Sequence, residues 1–132
     1  MSMIKYKNIR QMHIELTSKC NASCPGCPRN VSGGYPLPWI DKREWSLSQF
    51  KEVFTPELLK GCRTILFCGN YGDPGTCRDL VEIVDYIKQC HWEGTVRVHT
   101  NGGMRNPTFW RSLFSSDNTR QKQALLHGGF FY

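Results

Sequence analysis

The segment Met12-His-Ile-Glu-Leu-Thr-Ser-Lys-Cys-Asn-Ala-Ser-Cys-Pro-Gly-Cys-Pro-Arg-Asn30 joins a strand to a cysteine loop. Met12, Ile14 and Leu16 alternate with His13 and Glu15, the period-two pattern of a short strand. Cys20, Cys24 and Cys27 follow at once, separated by three residues and then two. Three thiolates on one loop suffice for three irons of a cubane cluster, whereas a fully protein-ligated cluster takes four cysteines. The fourth iron then stays open to a bound ligand, as the fourth position of a catalytic zinc does. Spacing alone leaves zinc, thiol-disulfide chemistry and an iron-sulfur cluster all open.

Pro25, Pro28, Gly33, Gly34, Pro36 and Pro38 make residues 17–45 a long irregular connection, which in a small domain marks a functional loop. Ser46-Leu-Ser-Gln49 has the form of a capping box, and Phe50, Val53 and Phe54 supply an apolar stripe that Pro56 perturbs and Gly61 closes. Arg63-Thr-Ile-Leu-Phe-Cys68 reads as a strand buried on both faces. Leu80, Ile83, Val84 and Ile87 recur at helical spacing, which predicts an amphipathic helix over about 77–90. Thr95-Val-Arg-Val-His-Thr100 alternates as a third strand, and Asn106-Pro107 predicts a capped helix carrying Phe109, Trp110, Leu113 and Phe114.

Three strands, each followed by a helix, predict parallel pairing in an α/β fold, a partial (β/α) barrel of about three parallel βα units. The core is expected within residues 1–114. Beyond it, residues 115–132 turn polar and aperiodic, an irregular tail with the look of a truncation.

At 132 residues the chain has the size of one domain. Hydrophobic residues at 39% and aromatics at 12% exclude a disordered chain. The net charge of +6 divides into +4 over residues 1–46, −2 over 47–94 and +4 over 95–132. Without a run of like charge or a basic stripe interleaved with aromatics, a solvated and mildly basic surface is favoured over a phosphate-binding track. Seven cysteines is an odd number and no apolar signal segment precedes Cys20, so the reducing cytoplasm is expected rather than a secreted disulfide framework. Nothing approaches the length of a membrane span.

A structural zinc site usually shows two separated ligand pairs, and here there is one tight cluster that Cys62, Cys68, Cys77, Cys90 or a histidine would have to complete. Cys24-Pro-Gly-Cys27 as a thiol-disulfide motif should open a helix, but Pro28 and the following glycines argue for loop and leave Cys20 without a task. The four later cysteines share no spacing, and Cys68 in its apolar run is expected to be a small core residue. Asp73 beside Pro74 suits a turn or cap as well as a ligand contact.

The triplet, placed after the first strand of a βα series, resembles the radical S-adenosylmethionine (radical SAM) superfamily, whose signature has the same spacing. Gly72-Asp73-Pro74 is similar to that family's Gly-Gly-Glu-Pro turn, and Thr100-Asn101-Gly102 to its Thr-Asn-Gly. Cys-Pro-Gly-Cys-Pro-Arg looks like small stand-alone or phage-type members. The resemblance implies that Cys20, Cys24 and Cys27 ligate a 4Fe-4S cluster. It further implies that S-adenosylmethionine binds the open iron, with Gly26, Tyr71, Gly72, Asp73, Pro74 and Asn101 at the cofactor. Flavodoxin or ferredoxin would deliver the electron that cleaves the sulfonium to a 5′-deoxyadenosyl radical. The substrate is undefined.

Three departures stand out: Gly26 where an aromatic residue is common, Tyr71 for the turn's first glycine, and Asp73 for its glutamate. Family barrels carry about six βα units, so the chain resembles an N-terminal half that needs an oligomer or a complementing chain. The alternative is a non-catalytic module that binds zinc or an iron-sulfur cluster through the same cysteines.

Overall fold

Three four-residue strands pair in parallel in the order β1 (Gln11–Ile14), β2 (Thr64–Phe67) and β3 (Thr95–Val98). The computed structural model describes residue 5, residues 8–90 and residues 93–114, so the expected tail over 115–132 lies outside the described residues. Met12 stands opposite Ile65 and Ile65 opposite Val96; Ile14, Phe67 and Val98 form the next row. Parallel neighbours cannot be joined by tight hairpins, so each link crosses over through helix.

The first link ends in α1 (Leu47–Val53), whose capping box forms as expected: Ser46 accepts from the Gln49 amide, and Gln49 Oε1 accepts from the Ser46 amide. Pro56 does more than perturb this helix. It opens a second one, α2 (Pro56–Lys60), because its ring presets φ for a first helical position and Thr55 caps it. The helix predicted over about 77–90 is α3 (Leu80–Gln89), shortened because Pro74–Thr76 form a 3-10 turn and Cys77 is extended. Asn106 caps α4 (Pro107–Phe114), its Oδ1 accepting from the Phe109 amide at 2.9 Å.

The helices contribute Phe50, Leu59, Leu80, Ile83, Ile87 and Leu113 to one core with Ile14, Ile65, Phe67 and Val98. Phe50 stacks on Phe54 at 4.4 Å and meets Trp45, Phe67 and Tyr86 edge-on; burying such a ring stabilises by about 2–3 kcal/mol. Phe54 is half-buried and Val53 is exposed, so the expected stripe on α1 is carried by the two phenylalanines. On the other face of the sheet His13 and Arg97 are exposed and Leu66 is half-buried.

Among the described residues the strand expected to be buried on both faces is closed on one, because the core-forming helices pack on the Ile65 and Phe67 side while Leu66 is half-buried. Cys77 is a core residue, and burial pushes its thiol up to about 11; Cys68, expected in the core, is half-buried. Among the described residues β3 is paired only on its β2 side.

Candidate metal centre

The long connection after β1 closes on itself. The Trp45 amide donates to the Leu16 carbonyl and the Ser18 amide to the Arg43 carbonyl, both at 2.9 Å, and Thr17 pairs antiparallel with Glu44 between them. Lys19 Nζ then reaches Glu44 at 3.0 Å. Burial alone would raise the Glu44 carboxyl, but the Lys19 hydrogen bond, the Arg78 amide and both cations outweigh it and hold it below the usual value. Above this neck, single turns run Cys24–Cys27 and Cys27–Asn30, each closed by an amide-to-carbonyl bond of 3.1 Å, and Asn30 bridges to Pro36.

The turns that follow β2 and β3 meet this loop at Lys19 and Cys20. The Lys19 carbonyl accepts from the Asp73 amide and the Thr76 hydroxyl, both at 2.8 Å. Asp73 is buried, with Oδ1 accepting from the Gly75 amide at 2.8 Å and the Thr100 hydroxyl at 2.6 Å, and Oδ2 from the Asn101 amide at 2.7 Å. Asn101 Nδ2 donates to Asn21 Oδ1 at 2.9 Å and lies 3.8 Å from Cys20 Sγ, which also accepts from the Ala22 amide. Gly72 packs so closely on Thr17 that a Cβ there would overlap the Thr17 carbonyl oxygen.

Cys20, Gly72, Asp73 and Asn101 therefore gather at the ends of three adjacent strands, where α/β folds place their ligands. Pro74 is buried behind them, and Tyr71 is exposed while its carbonyl accepts from Arg29. Cys24 and Cys27 lie farther along the loop, half-buried, with Gly26 exposed between them and nothing within 4 Å of where its Cβ would stand. Cys20, Cys24 and Cys27 are free thiols. Among the described residues no group of three His, Cys, Asp or Glu side chains is arranged to hold a metal ion. The donor set still fits a thiolate-ligated cluster in kind: three thiols share one turn-rich loop, and Cys20 Sγ already takes N–H donors, as an anionic sulfur does.

Sequence reading passed over Arg29, Thr100 and Lys19. Thr100 stands in the Thr-Asn-Gly that marked Asn101, and its place opposite an acidic turn was the available signal. Arg29 follows Cys27 by two positions and is only 4% exposed. An arginine among loop prolines and glycines gives no sequence sign of burial. No helix among the described residues is long and apolar enough to cross a membrane.

No family model matches the chain, and no curated protein matches it. Among solved structures, the crystal structure of BtrN in complex with AdoMet and 2-DOIA is similar, with a TM-score of 0.64 and 20% identity. That match covers 80% of this chain and 41% of BtrN, so the chain spans about two fifths of the length of that structure. At this identity the likeness shows the fold alone, an α/β partial barrel.

Proposed function

We propose that this chain is the cluster-bearing part of a radical SAM protein, with Cys20, Cys24 and Cys27 as ligands of a 4Fe-4S cluster. When bound, the cluster with S-adenosylmethionine on its open iron supplies reductive cleavage to a 5′-deoxyadenosyl radical. The observation that carries this reading is the convergence on Cys20: Asp73 and Thr76 fix the carbonyl before it, and Asn101 approaches its sulfur. The shared fold with a protein crystallised with AdoMet supports the same reading.

In this reading the backbone from Tyr71 to Pro74, with Gly26 and Asn101, lines the place of the S-adenosylmethionine. Asp73 is chiefly a positioning residue, since three donors already occupy its carboxylate. The electron comes from a donor such as flavodoxin or ferredoxin in the cytoplasm, and the edge of β3 that is unpaired among the described residues takes further strands, from a second copy or a complementing chain. A non-catalytic module that binds zinc or an iron-sulfur cluster through the same three cysteines is the second reading.

Anaerobic reconstitution of the full chain separates the two. The radical SAM reading expects about four irons and four sulfides per chain, and 5′-deoxyadenosine after reductant and S-adenosylmethionine are added. Single replacement of Cys20, Cys24 or Cys27 by Ala abolishes iron retention. Zinc uptake without iron overturns the cluster; iron without the nucleoside favours the binding module.

A further inference from the structure

A cavity of about 320 Å³ lies against the cysteine loop, lined by residues 19–23, Arg29, Pro36 and Lys42. Its charge is one-sided: Lys19, Arg29 and Lys42 line it, and no carboxylate does. Arg29 is 4% exposed. Its Nε donates to the Tyr71 carbonyl at 2.9 Å and more weakly to Ser18, and its Nη1 to Asn30 Oδ1 at 3.2 Å. Those acceptors are all neutral, Nη2 has no partner among the described residues, and no described carboxylate forms an ion pair with the guanidinium. Burying a charge without a counter-charge is costly, and the cost is offset when an anion completes the site.

The acidic groups nearest in the chain are already engaged: Asp41 with Arg43 at 2.8 Å, Glu44 with Lys19 at 3.0 Å, and Glu15, which accepts from Asn70 Nδ2 at 2.9 Å. Arg29 and exposed Lys42 are the cavity's cations that no described carboxylate pairs. None of Tyr71, Gly72, Asp73, Pro74 or Asn101 lines the cavity, which borders those turns through Arg29 on the Tyr71 carbonyl and Asn21 on Asn101 and has Cys20 in its wall.

We propose that this cavity binds an oxyanion, a phosphoryl or carboxylate group carried by a substrate distinct from S-adenosylmethionine. A planar guanidinium with a free terminal nitrogen suits two-point contact with such a group, and a lysine adds a point charge at the rim. The volume sits at the low end of ligand pockets and fits the anionic end of a substrate. The assignment to a substrate rests on the radical SAM reading, whereas the oxyanion site itself does not, so the full chain without iron tests it.

Calorimetric titration at constant ionic strength with inorganic phosphate, acetate and S-adenosylmethionine reads the site. Saturable binding of phosphate or acetate is expected, the stronger of the two naming the phosphoryl or the carboxylate class. Lys42→Ala should weaken it by about tenfold and Arg29→Gln should abolish it. If Arg29→Gln fails to fold by circular dichroism, the exposed Lys42 variant decides alone. Absence of saturable anion binding, binding indifferent to Lys42→Ala, or displacement of the anion by S-adenosylmethionine overturns the proposal. Failure to load iron in the separate reconstitution removes the radical SAM reading and leaves this result standing.

Discussion

The Thr100 hydroxyl donates to Asp73 Oδ1 across 2.6 Å, tying the turn after β2 to the turn after β3. Both residues are buried, and the same carboxylate takes the Gly75 and Asn101 amides. Asp73→Ala strands three donors and should lower stability by about 2–4 kcal/mol in urea unfolding. Thr100→Val removes the bond to Asp73 and the one its hydroxyl accepts from the Gly102 amide at 3.1 Å, and should cost about 1–2 kcal/mol. In the double variant the two losses should fall short of additive, since both delete one contact. Strict additivity would show that the pair is not coupled.

Gly72→Ala should act on the loop rather than on the sheet. The added methyl would overlap the Thr17 carbonyl, so residues 17–18 or 72–73 must part, and backbone on both sides has no rotamer with which to yield. Limited proteolysis should cut within residues 17–45 at lower protease concentration than in the wild type. Unchanged cleavage would mean that the approach relaxes freely.

Glu44 gives the neck a pH dependence of known sign. Its carboxyl is lowered in the folded chain, so its contribution is complete above the unfolded value near 4.5 and is lost as pH falls through the lower folded value. Lys19 is partly exposed, and solvent limits the effect to about 1 kcal/mol or less. Glu44→Gln should flatten the acid limb of a plot of unfolding midpoint against pH; an unaltered limb would assign it to other carboxylates.

Cys77 acts at the opposite end of the scale. Burial lifts its thiol to about 11 from an ordinary value of 9.0. The folded chain holds the proton that the unfolded chain gives up, so stability is complete below pH 9.0 and declines as pH rises towards 11. Cys77→Ala should remove that alkaline decline at the expense of a small cavity. At pH 8 the half-buried Cys20, Cys24 and Cys27 should alkylate in the native chain without iron, and Cys77 only after unfolding. Peptide mass mapping after a timed pulse distinguishes them.

Local chemistry was the legible part of this sequence. Ser46 with Gln49 and Asn106 with Pro107 specify helix starts through bonds spanning three residues, and the spacing of Leu80, Ile83, Val84 and Ile87 identifies α3 without outside help. Pro56 was ambiguous because the same ring ends one helix and begins another; Thr55 decided it by capping. The one-sided burial of β2 depends on which face receives the helices, a property of packing that an apolar run of four to six residues does not encode. The environment of Asp73 needed the register of β2 against β3 before Thr100 and Asn101, 27 and 28 positions away, became neighbours. Gly72 meets a demand invisible in the sequence: a Cβ there would overlap the Thr17 carbonyl oxygen, 55 positions earlier in the chain.

The neck formed by Leu16 with Trp45 and Ser18 with Arg43 separates the length of the cysteine loop from the geometry of the sheet. The chain enters and leaves through two adjacent rungs, so β1 and α1 keep their spacing whatever happens between residues 19 and 42. The side chains of Tyr35 and Trp39 are exposed, so they can change without disturbing this neck while Cys20 stays anchored by Lys19 to the turn after β2. Such a neck makes the loop a separate unit, whose exposed surface can vary while its root keeps one position on the sheet.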